Sequence, residues 1–121
     1  TTLEITKEDQ LTERGDCIIA TSSSKACADL STEFSKLMKN DRTRITLKIE
    51  AGDRSEVIRG WGNSGLTVDH PNDMVVRKSN YVCHRTIMIE ANKSALDLDR
   101  EFVRILRDSR TRIRIELVAE L

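Results

Sequence analysis

The sequence has few aromatic residues, no long apolar run and no excess of charge of either sign. Aromatic side chains make up 3% of its 121 residues, which is little material for the stacking platforms that bind single-stranded nucleic acid. Twenty basic residues balance twenty acidic ones, whereas general polyanion binders usually carry a basic excess. The composition therefore argues against nonspecific nucleic-acid binding, while leaving room for a local basic patch.

Membrane and disulfide-rich classes are also disfavoured. No apolar run approaches the roughly 20 residues of a transmembrane helix, and no secretory signal peptide is evident. Cys17, Cys27 and Cys83 are therefore expected to be reduced thiols. No second ligand pair stands at zinc-site spacing from Cys83-His84. We predict a soluble cytoplasmic protein with no membrane partner and no metal site, and the sequence identifies no cofactor.

An internal repeat is the strongest pattern in the chain. Residues 25–51 align without a gap to residues 93–119, and ten of these 27 positions are identical, where chance gives about two. In both segments the apolar residues first recur at helical spacing and then alternate, which is typical of a helix followed by a half-buried strand. We therefore predict one domain built from two pseudo-repeats, about 1–64 and 65–121.

The repeat predicts the placement of individual elements. Helices are expected near 25–39 and 93–107, with good N-cap residues just before each of them. Phe34 and Phe102 occupy matching positions on the apolar stripes and are predicted to be core residues. The expected N-caps are Ser24 and Asn92. Two strands are expected before the first helix, at 2–6 and 17–20, and two before the second helix, at 65–69 and 86–89.

These elements predict an α+β fold of internally duplicated ββαβ units with pseudo-twofold symmetry. The first half adds a hairpin strand at 56–61, turned by Gly52-Asp53. The element order resembles that of pseudo-symmetric six-stranded barrels, and Gly15-Asp16 resembles their Gly-Asp turn. Two arrangements are open, a sheet or a barrel of six to seven strands, each with two helices.

The two halves differ most in the loops before their second strands. The first loop, 7–16, is mostly acidic, whereas the second, 70–85, is longer and basic, with no acid between residues 74 and 89. Diverged loops on a repeated scaffold are where function tends to lie. Arginine, lysine and hydroxyl side chains are suited to phosphate or carboxylate. The predicted anion-binding residues are Arg14, Asp16, Arg77, Lys78, Ser79, Arg85 and Thr86.

A purely structural alternative is that the basic loop is solvated or paired internally with the acidic first loop.

The other sequence motifs carry less information about function. The glycine-rich stretch 60–65 lacks the lysine and spacing of a P-loop. The run His70-Pro71-Asn72-Asp73 offers ligands for a divalent metal, but ordinary turn chemistry explains it equally well. No Ser-His-Asp or Cys-His order has catalytic context.

Three stretches of the chain together resemble an archaeal family, domain-of-unknown-function family 371. They are Leu11-Thr-Glu-Arg-Gly-Asp-Cys-Ile-Ile19, Val75-Val-Arg-Lys-Ser79 and Arg85-Thr86. The resemblance runs over nearly the whole chain and implies an archaeal, cytosolic protein without an established activity. It also implies that Gly15-Asp16 and Arg77-Lys78-Ser79 belong to the family pattern.

Three functions compete at this point. The first is a binding module for a phosphate-bearing ligand, either a nucleotide or structured RNA. The second is a small metal- or acid–base-dependent enzyme that uses Asp9, Asp73, His70 and His84. The third is a subunit whose basic loop docks on an acidic protein. Bound metal or shifted carboxyl and histidine pKa values favour the enzyme, and a steep salt dependence favours nucleic-acid binding.

Overall fold

The computed structural model describes residues 1–9 and 17–121. Within these residues the elements are β1 (Thr2–Thr6), β2 (Ile18–Ala20), α1 (Thr32–Met38), β3 (Arg44–Ala51), β4 (Arg54–Trp61), β5 (Asp73–Arg77), β6 (Thr86–Met88), α2 (Arg100–Arg107) and β7 (Ile113–Glu120). The predicted α+β class is confirmed. Neither of the described helices has the length and apolar character needed to cross a membrane.

The strands form two sheets. The first has the order β2-β1-β5-β6, in which the central strands β1 and β5 are antiparallel and each is parallel to its short outer neighbour. The second has the order β4-β3-β7 and is antiparallel throughout. A bridge from Trp61 to Ile89 connects β4 to the chain after β6. The described strands form no closed barrel, so the sheet arrangement is the correct one of the two alternatives.

Side chains from both sheets share one apolar core. Leu3 and Ile5 on β1 are fully buried, as are Ile45 and Ile49 on β3. Their spacing of two or four positions places them on one face of each strand. The alternating apolar residues that predict β3 therefore form the central part of the core. The hairpin strand β4 was also predicted, and Gly52 has a positive φ of 63° in the β3–β4 turn.

Both halves follow the same order of elements. A 3-10 turn precedes each helix, at Cys27–Asp29 and Ala95–Asp97. These turns are offset by 68 positions (95 − 27), the same offset that aligns the sequence repeat. β3 and β7 pair with each other, and Leu47 lies opposite Leu117. The duplication of an ancestral unit stays a prediction, because a common order of short elements is also reached without it.

The helices begin later than predicted, and the predicted N-caps at Ser24 and Asn92 are wrong. α1 and α2 are instead capped by Ser31 and Asp99, whose side chains accept hydrogen bonds from the backbone N–H three residues on, both at 3.1 Å. The apolar stripe that suggested a single helix from residue 25 onwards is divided between the 3-10 turn and the helix. Helical spacing does not reveal the two non-helical residues that separate them.

The position predicted for the first strand of the second half is also wrong. The sequence predicted it at 65–69, but these residues lie outside the strands, and the strand is β5, at Asp73–Arg77. Met74, Val75 and Val76 are consecutive and all buried, so both faces of β5 are covered by other parts of the protein. A strand covered on both faces lacks alternation. The sequence pattern therefore assigns the residues of β5 to the basic loop 70–85.

Candidate functional site

Two neighbouring parallel strands position the predicted anion-binding residues. Arg77 is the last residue of β5 and Thr86 the first of β6. A tight turn enters β6, with the Thr86 N–H donating to the Cys83 carbonyl at 3.0 Å. Lys78 and Ser79 follow β5 directly. The predicted partners across the groove, Arg14 and Asp16, lie outside the described residues.

No carboxylate of the described residues takes part in holding Arg77. Its Nε donates to the Thr86 hydroxyl at 2.9 Å, and its Nη2 donates to the Cys83 sulfur at 3.3 Å. The guanidinium carbon lies 4.8 Å from the ring centre of Tyr81, and Tyr81 as a residue is 59% exposed. A guanidinium has five N–H donors, so most of the donors of Arg77 make no hydrogen bond to a described residue.

Arg85 is instead part of an internal ion pair. Its Nη1 lies 3.0 Å from Asp73 Oδ2 and 3.3 Å from Glu4 Oε1. Both carboxylate side chains are almost completely buried. Partial burial alone lowers the pKa of the Arg85 guanidinium, but Asp73 and Glu4 raise it overall. The structure therefore shows Arg85 stabilising the junction of β1 and β5, where its charge is already balanced.

The remaining predicted residues are also engaged. The Lys78 ammonium lies 3.0 Å from Asp97, and the Ser94 N–H, followed by this ammonium, lowers the pKa of the Asp97 carboxyl to about 2. Thr86 is fully buried, so its hydroxyl serves to position Arg77. The hydroxyl of Ser79 accepts the Tyr81 N–H at 3.3 Å. Arg77 thus stands apart from Lys78 and Arg85 in its lack of an acidic partner among the described residues.

Cys83 is a functional candidate that sequence reasoning missed. Partial burial by itself raises the pKa of its thiol, but hydrogen bonds from the Arg85 backbone, the Thr86 hydroxyl and the Arg77 guanidinium outweigh it and lower the pKa to about 7. Such a thiol is partly ionised at neutral pH and is correspondingly nucleophilic. An available signal was the position of Cys83 between arginines in a segment without acids.

We expect iodoacetamide to alkylate Cys83 with a rate that rises around pH 7, well below the 9.0 of an ordinary thiol. The Arg77→Ala variant removes one donor and its charge, so its midpoint should move to higher pH. Peptide mapping by mass spectrometry measures each cysteine separately. Cys27 is the internal control, because burial raises the pKa of its thiol to about 12. A midpoint near 9 in both proteins would contradict this environment for Cys83.

A second polar cluster contains three residues that the enzyme hypothesis named. The rings of His70 and His84 are 4.8 Å apart, and His70 Nε2 lies 4.0 Å from Asp73 Oδ2. Asp73 also accepts the Thr6 hydroxyl at 2.7 Å. Two backbone N–H groups, those of residues 72 and 73, donate to His70 Nδ1, which leaves its proton on Nε2 in the neutral ring.

This geometry brings Asp73, His70 and His84 together, but it does not include the fourth residue, Asp9, which bonds to Ser22 at 2.9 Å. Within residues 1–9 and 17–121, no group of three acidic, histidine or cysteine side chains is arranged to hold a metal ion. His70 Nε2 and Asp73 Oδ2 are close enough for an electrostatic interaction but too far apart for a direct hydrogen bond. The ion pair of Asp73 with Arg85 gives the cluster a structural role.

The chain belongs to a family described as a domain of unknown function, DUF371, whose model matches residues 1–120. It is similar to "Uncharacterized protein MJ0206" of Methanocaldococcus jannaschii. The two are 48% identical over 110 residues, which cover 91% of this chain and 81% of that protein. The family resemblance inferred from the sequence is thus confirmed, and it leads to an archaeal relative whose description carries no activity.

Proposed function

We propose that the protein binds a phosphate-bearing ligand at Arg77, and that this ligand is a nucleotide. The observation that carries the proposal is the guanidinium of Arg77, which is fixed by Thr86 and Cys83 and faces no carboxylate among the described residues. A guanidinium that is already oriented loses little freedom on binding phosphate. The positioned fork then offers its remaining N–H groups to phosphate oxygens.

Tyr81 supplies the second half of the proposed site. One face of its ring covers the Arg77 guanidinium, and the residue as a whole is largely exposed. A nucleobase on the opposite face would stack on the ring, and base–aromatic stacking contributes about 1–3 kcal/mol. Phosphate on the guanidinium and a base on the phenol ring are the two contacts expected of a small nucleotide.

The same contacts favour a nucleotide over structured RNA. RNA binding depends on several unpaired cations along a backbone. Here Lys78 and Arg85 already face carboxylates, at 3.0 Å in both cases. Lys78 lies at the surface in a solvated pair of little strength, so it can turn towards a ligand phosphate. The site therefore offers one fixed cation and one exchangeable cation, which suits a di- or triphosphate.

Arg77→Ala is expected to weaken binding of ADP by about 10- to 100-fold, the effect of losing charge-assisted hydrogen bonds of about 1.5–3 kcal/mol. Isothermal titration calorimetry measures this, with thermal unfolding of the same variant expected within a few degrees of the parent. Arg104→Ala is the matched control, because this arginine is exposed on α2. Its ADP affinity should equal that of the parent.

Two outcomes would count against this site. Equal ADP affinity in the parent and in Arg77→Ala would place any nucleotide elsewhere. Tighter binding of a single-stranded RNA oligomer than of ADP, with a steep salt dependence and no effect of Tyr81→Ala, would favour an extended RNA surface. Tyr81→Phe should retain ADP binding, since the proposal assigns the phenol ring and not its hydroxyl.

We also propose that the two pseudo-repeats arose by duplication within one domain and that the site belongs to the second repeat alone. The common 68-residue offset of the 3-10 turns supports the duplication. The position corresponding to Cys83, 68 residues earlier, is residue 15, which lies outside the described part. Reduced Cys27 and Cys83 thiols fit the proposed cytoplasmic location.

A further inference from the structure

The two edges of the three-stranded sheet differ, and the outer edge of β7 is the less covered of the two. Among the described residues β7 has a neighbour on one side only, β3. Its inward-facing residues Ile113, Ile115 and Leu117 are only half-buried. The corresponding alternate residues of β3, such as Leu47, are at most 1% exposed. An edge with partly exposed aliphatic side chains and unpaired backbone groups is a template for another strand.

The opposite edge of the same sheet, formed by β4, is covered by another segment of the chain. β4 lies on the outer side of β3, and its own outer edge is bonded to the segment after β6. Trp61 and Ile89 exchange two backbone hydrogen bonds, at 2.9 and 3.0 Å. The Asn92 N–H donates to the Arg59 carbonyl at 2.9 Å, and its side chain accepts the Arg59 N–H. β4 thus lies between β3 and residues 89–92.

The first half has the matching segment, but no strand of residues 1–9 or 17–121 lies between this segment and β7. The positions 68 residues before Ile89 and Asn92 are Thr21 and Ser24. They line a cleft of about 980 Å³ whose other wall is β7. Phe34 also lines this cleft and is half-buried, whereas its counterpart Phe102 is 2% exposed. The cleft between β7 and this segment therefore corresponds to the place that β4 fills between β3 and residues 89–92.

The backbone of β7 is oriented to accept a strand in this cleft. The Gly62 N–H donates to the Thr43 carbonyl at 2.9 Å, which sets the alternation of bonds between β3 and β4. The antiparallel ladder then directs the N–H and C=O groups of Ile113, Ile115 and Leu117 away from β3. An added antiparallel strand would pair with these three residues.

Charged residues on the solvent-facing side of β7 determine which charges the added strand needs. Arg114 and Glu116 alternate with the aliphatic residues and are exposed. β3 already matches them, with Glu50 opposite Arg114 and Lys48 opposite Glu116. Opposite charges directly across a sheet stabilise pairing, and like charges destabilise it. The complement of the free edge is thus a strand with a base followed, two residues later, by an acid.

We propose that this cleft accepts a single extended strand from a partner polypeptide, antiparallel to β7, in which aliphatic residues alternate with one lysine and one glutamate. β-strand addition of this kind derives affinity from backbone hydrogen bonds and specificity from alternate side chains. The β7 strand of a second copy does not fit, because its other edge is bonded to its own β3, and the segment of Thr21 and Ser24 stands where that β3 would lie.

The probe is a capped octapeptide with the sequence of β3, residues 44–51, which has the required pattern and already pairs with the other edge of β7. The control peptide has its lysine and glutamate exchanged, and it should bind about tenfold more weakly because two cross-strand pairs become repulsive. Titration into ¹⁵N-labelled protein should shift the amide signals of Ile113, Ile115 and Leu117 and slow their hydrogen exchange.

N-methylated peptides test the edge without altering the protein. Methylation of the peptide nitrogen opposite Ile115 removes a bond to β7 and should abolish binding. Methylation of the next nitrogen towards the N-terminus, which points away from β7, should reduce binding much less. Equal effects of both methylations, equal affinity of the charge-exchanged peptide, or no binding at millimolar peptide would overturn the proposal. Slow hydrogen exchange at the amides of Ile113, Ile115 and Leu117 in the protein without peptide would also overturn the proposal, whether the protein is a monomer or a dimer.

Discussion

Phe102→Ala is expected to lower the free energy of unfolding by roughly 3–5 kcal/mol. The Phe102 side chain is 2% exposed and packs within the core that both sheets share. Its backbone N–H is bonded to the Asp99 cap, so the first turn of α2 has little freedom to close the cavity that alanine leaves. Urea denaturation monitored by circular dichroism measures the loss.

Phe34→Ala is the matched control for this prediction, since the two phenylalanines occupy equivalent positions of the sequence repeat. The sequence alone predicted equal burial, and the structure corrects this, because Phe34 is half-buried beside the cleft at β7. Its replacement should cost about 1–2 kcal/mol, in keeping with the smaller apolar area removed from water. Equal losses in both variants would show that the cleft is filled in solution or that α1 packs differently.

Arg85→Ala should lower the free energy of unfolding by roughly 3 kcal/mol, because it removes a shared cation from two buried carboxylates. Glu4 and Asp73 are 3% and 4% exposed at their side chains, and both lie within 3.3 Å of the Arg85 guanidinium. They belong to β1 and β5, so the effect acts at the centre of the four-stranded sheet. Thermal and urea unfolding measure it.

Arg77→Ala separates this structural effect from the general loss of an arginine. Arg77 lies on the same sheet but bonds only to a hydroxyl and a thiol among the described residues, so its loss should cost less than about 1 kcal/mol. Arg85→Lys should recover part of the stability by keeping the charge. If Arg85→Ala were as stable as the parent, Arg85 would be available to a ligand, as the sequence suggested.

The sequence predicted the α+β class, the hairpin of β3 and β4 and the burial of Phe102 because each depends on local periodicity. It misplaced β5 because a strand buried on both faces has no alternation, and Arg77 at its end with Lys78 after it made it look like a loop. It placed the helix caps seven residues early, since helical spacing does not show an interruption between a 3-10 turn and a helix.

The sequence singled out the candidate residues but not their individual contacts. The acid-free stretch drew attention to Arg77 and Arg85 together, yet their roles differ because Arg85 reaches residues that are distant in sequence, such as Glu4. The lowered pKa of Cys83 depends on three donors that only the folded turn assembles. Long-range ion pairs and hydrogen-bond geometry at a turn are tertiary properties that a single sequence does not contain.

An NMR titration with ADP tests the central claim most directly, since it reports where the nucleotide binds as well as whether it binds. In ¹⁵N-labelled protein the largest shifts should occur at the side-chain Nε–H of Arg77 and the backbone N–H of Tyr81. In Arg77→Ala, ADP should no longer shift the Tyr81 signal. Absence of shifts at millimolar ADP, or shifts concentrated on β7 and the cleft beside it, would contradict the assignment of Arg77 as the phosphate-binding residue.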